Sequence, residues 1–553
     1  MSEGPERAGA RRVSRTSGRR VRHSAAGVQR LRAARGARPR EQRAAPLLVI
    51  TLGLVGLSIA GSLIGPFATS GYLHASGIRP AGILATQLPA SVPPGAVSSS
   101  WYCPGAGGTN GSAEGSPAGE TVVLVNTTPG AVQGIVTAAS SDGPTSSSFM
   151  SLAAFGSATV DPARMVPGPY VASTFDFASG GVTATEEVMS PDGTVSTQCA
   201  SSTSTRWYFS DGSTANGNQM LIGLYNPLGT DAVVNLAFST DAGPSAPPRF
   251  QSIVVQARSL VMKDVGAFVQ SRTQVATSVT VLAGSVVADE LQLRAAVPHA
   301  QIGLCLGAPL TASSWYFPTT VDQPGMTVGF HLFNPGASAA RVEVAISLTR
   351  GSAEPFILDV PAASEVTLPA SSEVRIPVAT AYSTEVSVLS GPGVVVQRSL
   401  LATKPSGYSG FSDETGAPSV AQKWLLSAEP LTFLTAELVG IEAPQGAPQA
   451  AGGAVPRSSA SVTGAPSALP AASVSVYQLV KGSWKPLKGL QHVAVQAGSP
   501  LVVRMNSYPR WYAGPLLISA SASVVASQEL YQVGVPAVTS TIGFPLIASA
   551  YTP

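Results

Sequence analysis

A Trp-Tyr pair recurs along this chain at nearly constant spacing: Trp101-Tyr102-Cys103-Pro104-Gly105, Trp207-Tyr208-Phe209-Ser210-Asp211-Gly212 and Trp315-Tyr316-Phe317-Pro318. A degenerate fourth copy begins at Trp424-Leu425-Leu426. The intervals are 106, 108 and 109 residues, the size of one small β-sandwich domain and too long for a propeller blade or a solenoid turn. A chain with this period must fold as a series of similar units rather than around one large core.

Other landmarks keep step with the tryptophans. Apolar runs end in Asn-Pro at Leu221–Pro227 and Val328–Pro335, each asparagine 19 residues after its Trp, and Val122-Val123-Leu124-Val125-Asn126-Thr127 takes that place in the first copy. Proline has no N–H for a ladder and asparagine caps a bend, so a turn is expected there. Alternating segments follow, such as Ala232–Phe238 and Ala340–Ile346, the pattern of half-buried strands. Late in each copy a Val-rich strand carries a polar pair: Thr185-Glu186, Asp289-Glu290, Gln397-Arg398 and Ser527-Gln528. The expected class is mainly β: tandem immunoglobulin-like β-sandwich repeats at 100–200, 201–306, 307–415 and 416–553. In the fourth, the Pro/Ala/Gly/Ser run at 443–470 is read as a disordered insert.

The remaining N-terminal part is of another kind. Residues 1–45 hold 13 Arg against three Glu, a balance of +10, so the rest of a chain whose net charge is +3 is about −7. No charge occurs from Pro46 to Ile78, and Leu47–Phe67 is a 21-residue apolar run, long enough for a helix to cross about 30 Å of hydrocarbon. The reading is a disordered cytoplasmic tail (1–45), a transmembrane helix (46–68), a linker (69–99) and a body held outside the cell, because flanking cations stay cytoplasmic. A cleaved signal peptide with a small-residue site near Ser58 and Ala60 is the competing reading. Arg interleaved with Ala, Gly, Ser and Pro, without stacking aromatics, suits contact with lipid headgroups and not nucleic acid.

The whole pattern resembles an uncharacterised family of actinobacterial membrane-anchored envelope proteins, with extracytoplasmic repeats that open on Trp-Tyr-Cys-Pro-Gly or Trp-Tyr-Phe. The resemblance rests on Trp101–Gly105, Trp207–Gly212 and Trp315–Pro318 and implies location only. Copies three and four depart from the motif, with Thr319-Thr320 and Ser427 near the expected glycine.

Chemistry has few marks. Cys103 and Cys199 stand at the two ends of copy one and are the favoured disulfide; the competing pair, Cys199 with Cys305, would bridge what read as matching places of two successive domains, eight and ten residues before the next Trp. The five histidines are scattered, and three distant cysteines give no metal-ligand spacing. No Gly-x-Ser-x-Gly elbow, Ser-x-x-Lys or phosphate loop occurs. Glu186-Glu187 and Asp289-Glu290 are carboxylate pairs, but neighbours on a strand point to opposite faces, and Arg398 and Gln528 replace the acid in later copies, so a tolerant solvent-facing position is expected. Trp101, Tyr102, Trp207, Tyr208, Trp315 and Tyr316 are either core or interdomain plugs or aromatics that stack on sugars. The expected role is a non-enzymatic envelope scaffold or stalk, without cofactor, that contacts envelope proteins or cell-wall polysaccharide. An accessory subunit or enzyme of envelope glycan assembly is the alternative.

Overall fold

The computed structural model describes residues 89–108, 119–190, 193–296, 300–321, 323–427, 436–444, 471–508, 514–532 and 537–546. The tail, the candidate membrane segment 47–67, most of the 69–99 linker and nearly all of the 443–470 insert lie outside them. Contacts divide the chain into two units at Ile78/Arg79, and every described residue belongs to the second. Among the described residues no helix is long and apolar enough to cross a membrane. The chain there is mainly β, in antiparallel sheets.

Repeat 1 comprises β1 (Ser99–Cys103), β2 (Gly119–Asn126), β3 (Val132–Ser140), β4 (Thr145–Leu152), β5 (Ser157–Val160), β6 (Val171–Phe177), β7 (Val182–Ser190) and β8 (Gly193–Gln198). They form two four-stranded sheets, β1-β6-β3-β4 and β5-β2-β7-β8, and repeats 2 and 3 repeat this order. Strands two and five, and three and six, are neighbours as in an immunoglobulin sandwich. The edges differ, because the first strand lies beside the sixth and the seventh beside the second. In repeat 4 one 16-residue strand, Leu516–Tyr531, runs through both sheets as sixth and seventh strand together.

Each landmark has a structural task. The four motif tryptophans are at most 2% exposed, and each indole Nε1 donates to a carbonyl at or just before the start of the seventh strand. Trp101 bonds Val182 O at 3.1 Å, Trp207 Val286 O at 2.9 Å, Trp315 Val394 O at 2.9 Å and Trp424 Val524 O at 2.8 Å. The turn asparagines are buried, and each holds its bend from both sides. Asn226 Nδ2 donates to Thr230 O and Val255 O at 2.8 and 3.0 Å, and its Oδ1 accepts from Leu228 N. Asn126 and Asn334 repeat the pattern. Val439 pairs with Gln528 as Ile222 does with Glu290, so the fourth copy has Ala443 at this position, and the insert begins beside it.

The repeats do not run as a string of separate beads. The eighth strands, β8, Gln301–Leu306, Gly410–Thr415 and Val538–Ile542, pack side by side in a cycle, the last against the first. The middle strands of each second sheet are thereby buried on both faces, by the repeat's own first sheet and by a neighbouring repeat, and the second strand of repeat 2 is apolar almost continuously over Leu221–Tyr225.

Candidate functional site

The Trp-Tyr motif closes this ring. While the Trp enters its own core, the next residue enters the core of the following repeat: Tyr102 packs on repeat 2, Tyr208 joins the core of repeat 3 and Tyr316 that of repeat 4. Leu425, in the same place, joins the core of repeat 1 beside Trp101 and Phe544. The backbone at the same position instead closes each repeat on itself, with Tyr102, Tyr208 and Tyr316 each exchanging two hydrogen bonds, at 2.8–3.0 Å, with the residue two past its own repeat's eighth strand, Ala200, Ala308 and Ala417. Leu425 pairs with Phe544 in the same way. The tryptophans are therefore sealed, and Tyr208 and Tyr316 are 9% and 8% exposed.

The third motif residue explains the cysteines. Phe209 lies over Gly307 and Phe317 over Gly416, where an added Cβ would fall 2.7 and 2.6 Å from the ring; Leu426 lies likewise over Gly543. In repeat 1 these two places are Cys103 and Cys199, joined by a disulfide with Cα atoms 4.6 Å apart. Cys199 therefore corresponds to Gly307, and Cys305, which pairs with Glu290 as Thr197 does with Glu186, is not its counterpart. The match between Cys199 and Cys305 fails by two residues: Cys199 and Gly307 both stand eight before the next Trp, whereas Cys305 stands ten before it, in the place of Thr197. Gly105, at φ 83°, turns the motif where a Cβ would strike Val171 O.

The polar pairs on the seventh strands are also not where the sequence suggests. Thr185, Glu186, Asp289, Glu290, Gln397, Arg398, Ser527 and Gln528 are all buried, none more than 2% exposed, because neighbouring repeats cover the face that a lone sandwich would leave to water. They form the walls of the ring's interior.

At the junction of repeats 1 and 2, Glu186 Oε1 accepts from Ala106 N at 3.2 Å and Glu120 Oε2 from Gly107 N at 3.3 Å, while the Asp289 carboxyl lies against the Gly223 backbone with no side-chain partner. Burial, reinforced by Glu186 acting on Glu120 and by Asp289 acting on Glu186, holds both glutamates well above the usual carboxylate range, and burial pushes Asp289 up to about 7.

Between repeats 2 and 3 the motif's Asp211 meets Arg294 Nη2 at 3.0 Å and His331 Nδ1 at 3.6 Å. Burial alone would raise Asp211, but His331 and Arg294 hold it below the usual range. Burial likewise opposes a charge on His331, yet Asp211 and Glu365 push it up to about 8. Gln397 joins the two repeats by accepting from Asp211 N at 2.9 Å and from Ser210 N, and by donating to Asp413 Oδ2 at 3.2 Å.

Between repeats 3 and 4 Arg398 pairs with Glu414 at 2.7 Å and Glu529 at 2.8 Å, and also donates to Thr320 Oγ1, Ser540 Oγ and Thr319 O. Burial still pushes Glu414 up to about 7 against the pull of Arg398. At the last junction the Thr185 and Ser427 hydroxyls meet at 2.6 Å, and Gln198 Nε2 donates to Ile542 O at 2.7 Å. A cavity of about 40 Å³ lies on the axis, walled by all four eighth strands, with Thr197, Cys305, Glu414 and Thr541 among its lining. Among the described residues the one triad with metal-ligand proximity is Cys103, Glu186 and Cys199, whose sulfurs are committed to the disulfide.

Asp211, Arg294 and His331 are not singled out together by the sequence. The available signal is a charged or titratable side chain inside an apolar run, as with His331 in Gly329–Phe333. On the outer side, a groove of about 490 Å³ opens between repeats 2 and 3, lined by Arg206, Tyr208, Phe238, Ser278, Thr280 and Phe333.

Residues 172–297 match a family of unknown function (DUF5719). The match starts in β6 and runs to the end of the repeat 2 seventh strand, so it straddles one motif and one junction. No curated protein matches. Among solved structures, "Crystal Structure of Thermotoga maritima 1070" is similar at 18% identity over 19% of this chain and 93% of that one, with a TM-score of 0.17. A tetra-tandem repeat in the extending region of a large adhesion protein aligns at 11% identity over 76% of this chain and 93% of that one, with a TM-score of 0.09.

Proposed function

We propose that this chain is a non-enzymatic, membrane-anchored protein of the cell envelope. Its extracytoplasmic body, four immunoglobulin-like sandwiches in series, would act as a rigid scaffold for other envelope proteins or cell-wall polymers. The observation that carries the reading is the closed interlock, in which the residue after each Trp is built into the next repeat and Leu425 returns to the first. Such a ring spends its aromatic and charged residues on its own rigidity and leaves the outer faces free for contact. The Cys103–Cys199 disulfide suits an oxidising compartment, and the +10 tail followed by an uncharged run supports the anchor with its N-terminus in the cytoplasm. Crosslinking on intact cells followed by purification of the full chain should capture the same envelope components repeatedly, and Leu425→Asp, which opens the ring, should lose them. Unchanged capture by the opened variant would remove the scaffold reading.

An accessory role in envelope glycan assembly draws on the groove between repeats 2 and 3, whose volume and mixed aromatic and polar lining fit a saccharide. Binding of wall-derived oligosaccharides that is lost in Arg206→Ala would favour it, and a glycan screen with no hits would remove it.

A further inference from the structure

One edge strand in this molecule lacks the protection given to its counterparts. β4 is the outermost strand of its sheet, and among the described residues nothing pairs with its free side. Its eight residues, TSSSFMSL, include no charge and no proline. The fourth strand of repeat 2 is broken into Gly243–Ser245 and Ile253–Val255, with Pro244 in the first piece. That of repeat 3 has five residues, among them Asp359. That of repeat 4 is broken into Ser483–Pro486, which holds Lys485 and Pro486, and Val493–Gln496. Interruption, proline and charge keep exposed edges from pairing with other chains. Three repeats use these devices and β4 uses none.

The strand also presents apolar surface. Phe149 is 88% exposed and lies opposite Ile135, itself 39% exposed, on the outer face of the sheet. The ladder fixes which backbone groups are available. Ser140 N donates to Pro144 O at 2.9 Å at the turn, and the β3–β4 register has no shift. Bonded pairs alternate along an antiparallel ladder, so residues 146, 148, 150 and 152 turn their N–H and C=O groups toward β3. Those of Thr145, Ser147, Phe149 and Ser151 are directed at the free edge.

We propose that β4 is a self-association edge, on which a second copy of this chain pairs its own β4 antiparallel about a two-fold axis at Ser148. That register sets Thr145 opposite Ser151 of the second copy and Ser147 opposite Phe149 of the second copy. Every outward N–H and C=O of the four residues then finds a partner, and the two four-stranded sheets join into one. A copy of the same strand suits the edge because β4 is neutral and brings no like charges face to face. The two Phe149 rings become diagonal neighbours across the axis, within reach of each other. The interface is isologous and closes at two copies.

Ser148 meets its own symmetry mate as a non-hydrogen-bonded pair, whose Cα separation of about 4.5 Å accepts a disulfide. In the full chain, Ser148→Cys should therefore give a covalent dimer on mild oxidation, whereas Ser146→Cys, opposite residue 150, should not. The unmodified chain should sediment at twice its monomer mass. Ser147→Pro removes one outward N–H without touching the β3 ladder and should restore the monomer mass while the melting temperature at high dilution stays unchanged. A chain that sediments as a monomer at the highest attainable concentration, equal crosslinking at 146 and 148, or a Ser147→Pro dimer would each overturn the proposal.

Discussion

Replacing Asp289 with Asn should make the protein more stable at alkaline pH and leave it nearly unchanged at acid pH. In the fold Asp289 is 1% exposed, has no side-chain hydrogen-bond partner and faces Glu186 and Glu120 across the junction of repeats 1 and 2. Burial moves its pKa from 3.8 up to about 7. Below pH 3.8 the carboxyl is protonated in folded and unfolded chains alike and adds no pH dependence. Between 3.8 and about 7 the folded chain keeps a proton that the unfolded chain has released, so stability falls as pH rises, by about 1.4 kcal/mol per unit. Across that window the loss is on the order of 4 kcal/mol, and above it both states are ionised. Glu120 and Glu186, also raised, act in the same direction, with their contribution present at acid pH and lost as pH climbs. Denaturant unfolding of the parent and Asp289→Asn proteins at about pH 4 and about pH 8, either side of the titration, measures the effect. Parallel stability profiles across that range would refute the account of the acid junction, as would a parent protein that gains stability on going to the alkaline side.

The other predictions concern the repeated contacts. Cys103→Phe with Cys199→Gly recreates the ring-over-glycine packing of repeats 2 and 3, so this pair should unfold closer to the oxidised parent than Cys103→Ala with Cys199→Ala does; equal loss in thermal melts would deny the equivalence. Asn226→Ala orphans the buried Val255 carbonyl, the part-buried Thr230 carbonyl and the Leu228 N–H and should cost about 1–3 kcal/mol in denaturant titration, against a few tenths for a substitution at the exposed Gly229 in the same turn.

Repeat length, the strands flanking the fourth-copy insert, the Asn turn and the Cys103–Cys199 pair are legible in the chain because each depends on residues close in sequence or on the period itself. The interlock is not. Tyr102 and Leu425 look like members of their own repeats, and nothing local says that their partners lie in the next one. The same blindness turns the polar pairs outward. Glu290 and Arg398, taken one strand at a time, call for a wet face, although the apolar run Leu221–Tyr225 beside Glu290 already indicates cover on both sides. Tandem copies suggest serial beads and hence an extended stalk, whereas closure depends on Phe544 and Leu546 meeting Trp101, more than 440 residues away.

Closure of the ring is tested most directly at the junction of its two ends, where Ser196 Oγ and Thr539 Oγ1 lie 3.5 Å apart across a sequence separation of 343. In a Cys305→Ser background, Ser196→Cys with Thr539→Cys should oxidise within one chain, and non-reducing peptide mapping should recover a link between the first and fourth repeats in nearly all molecules. Two thiols that stay free under the same oxidation, or link only between separate chains, would contradict the closed ring.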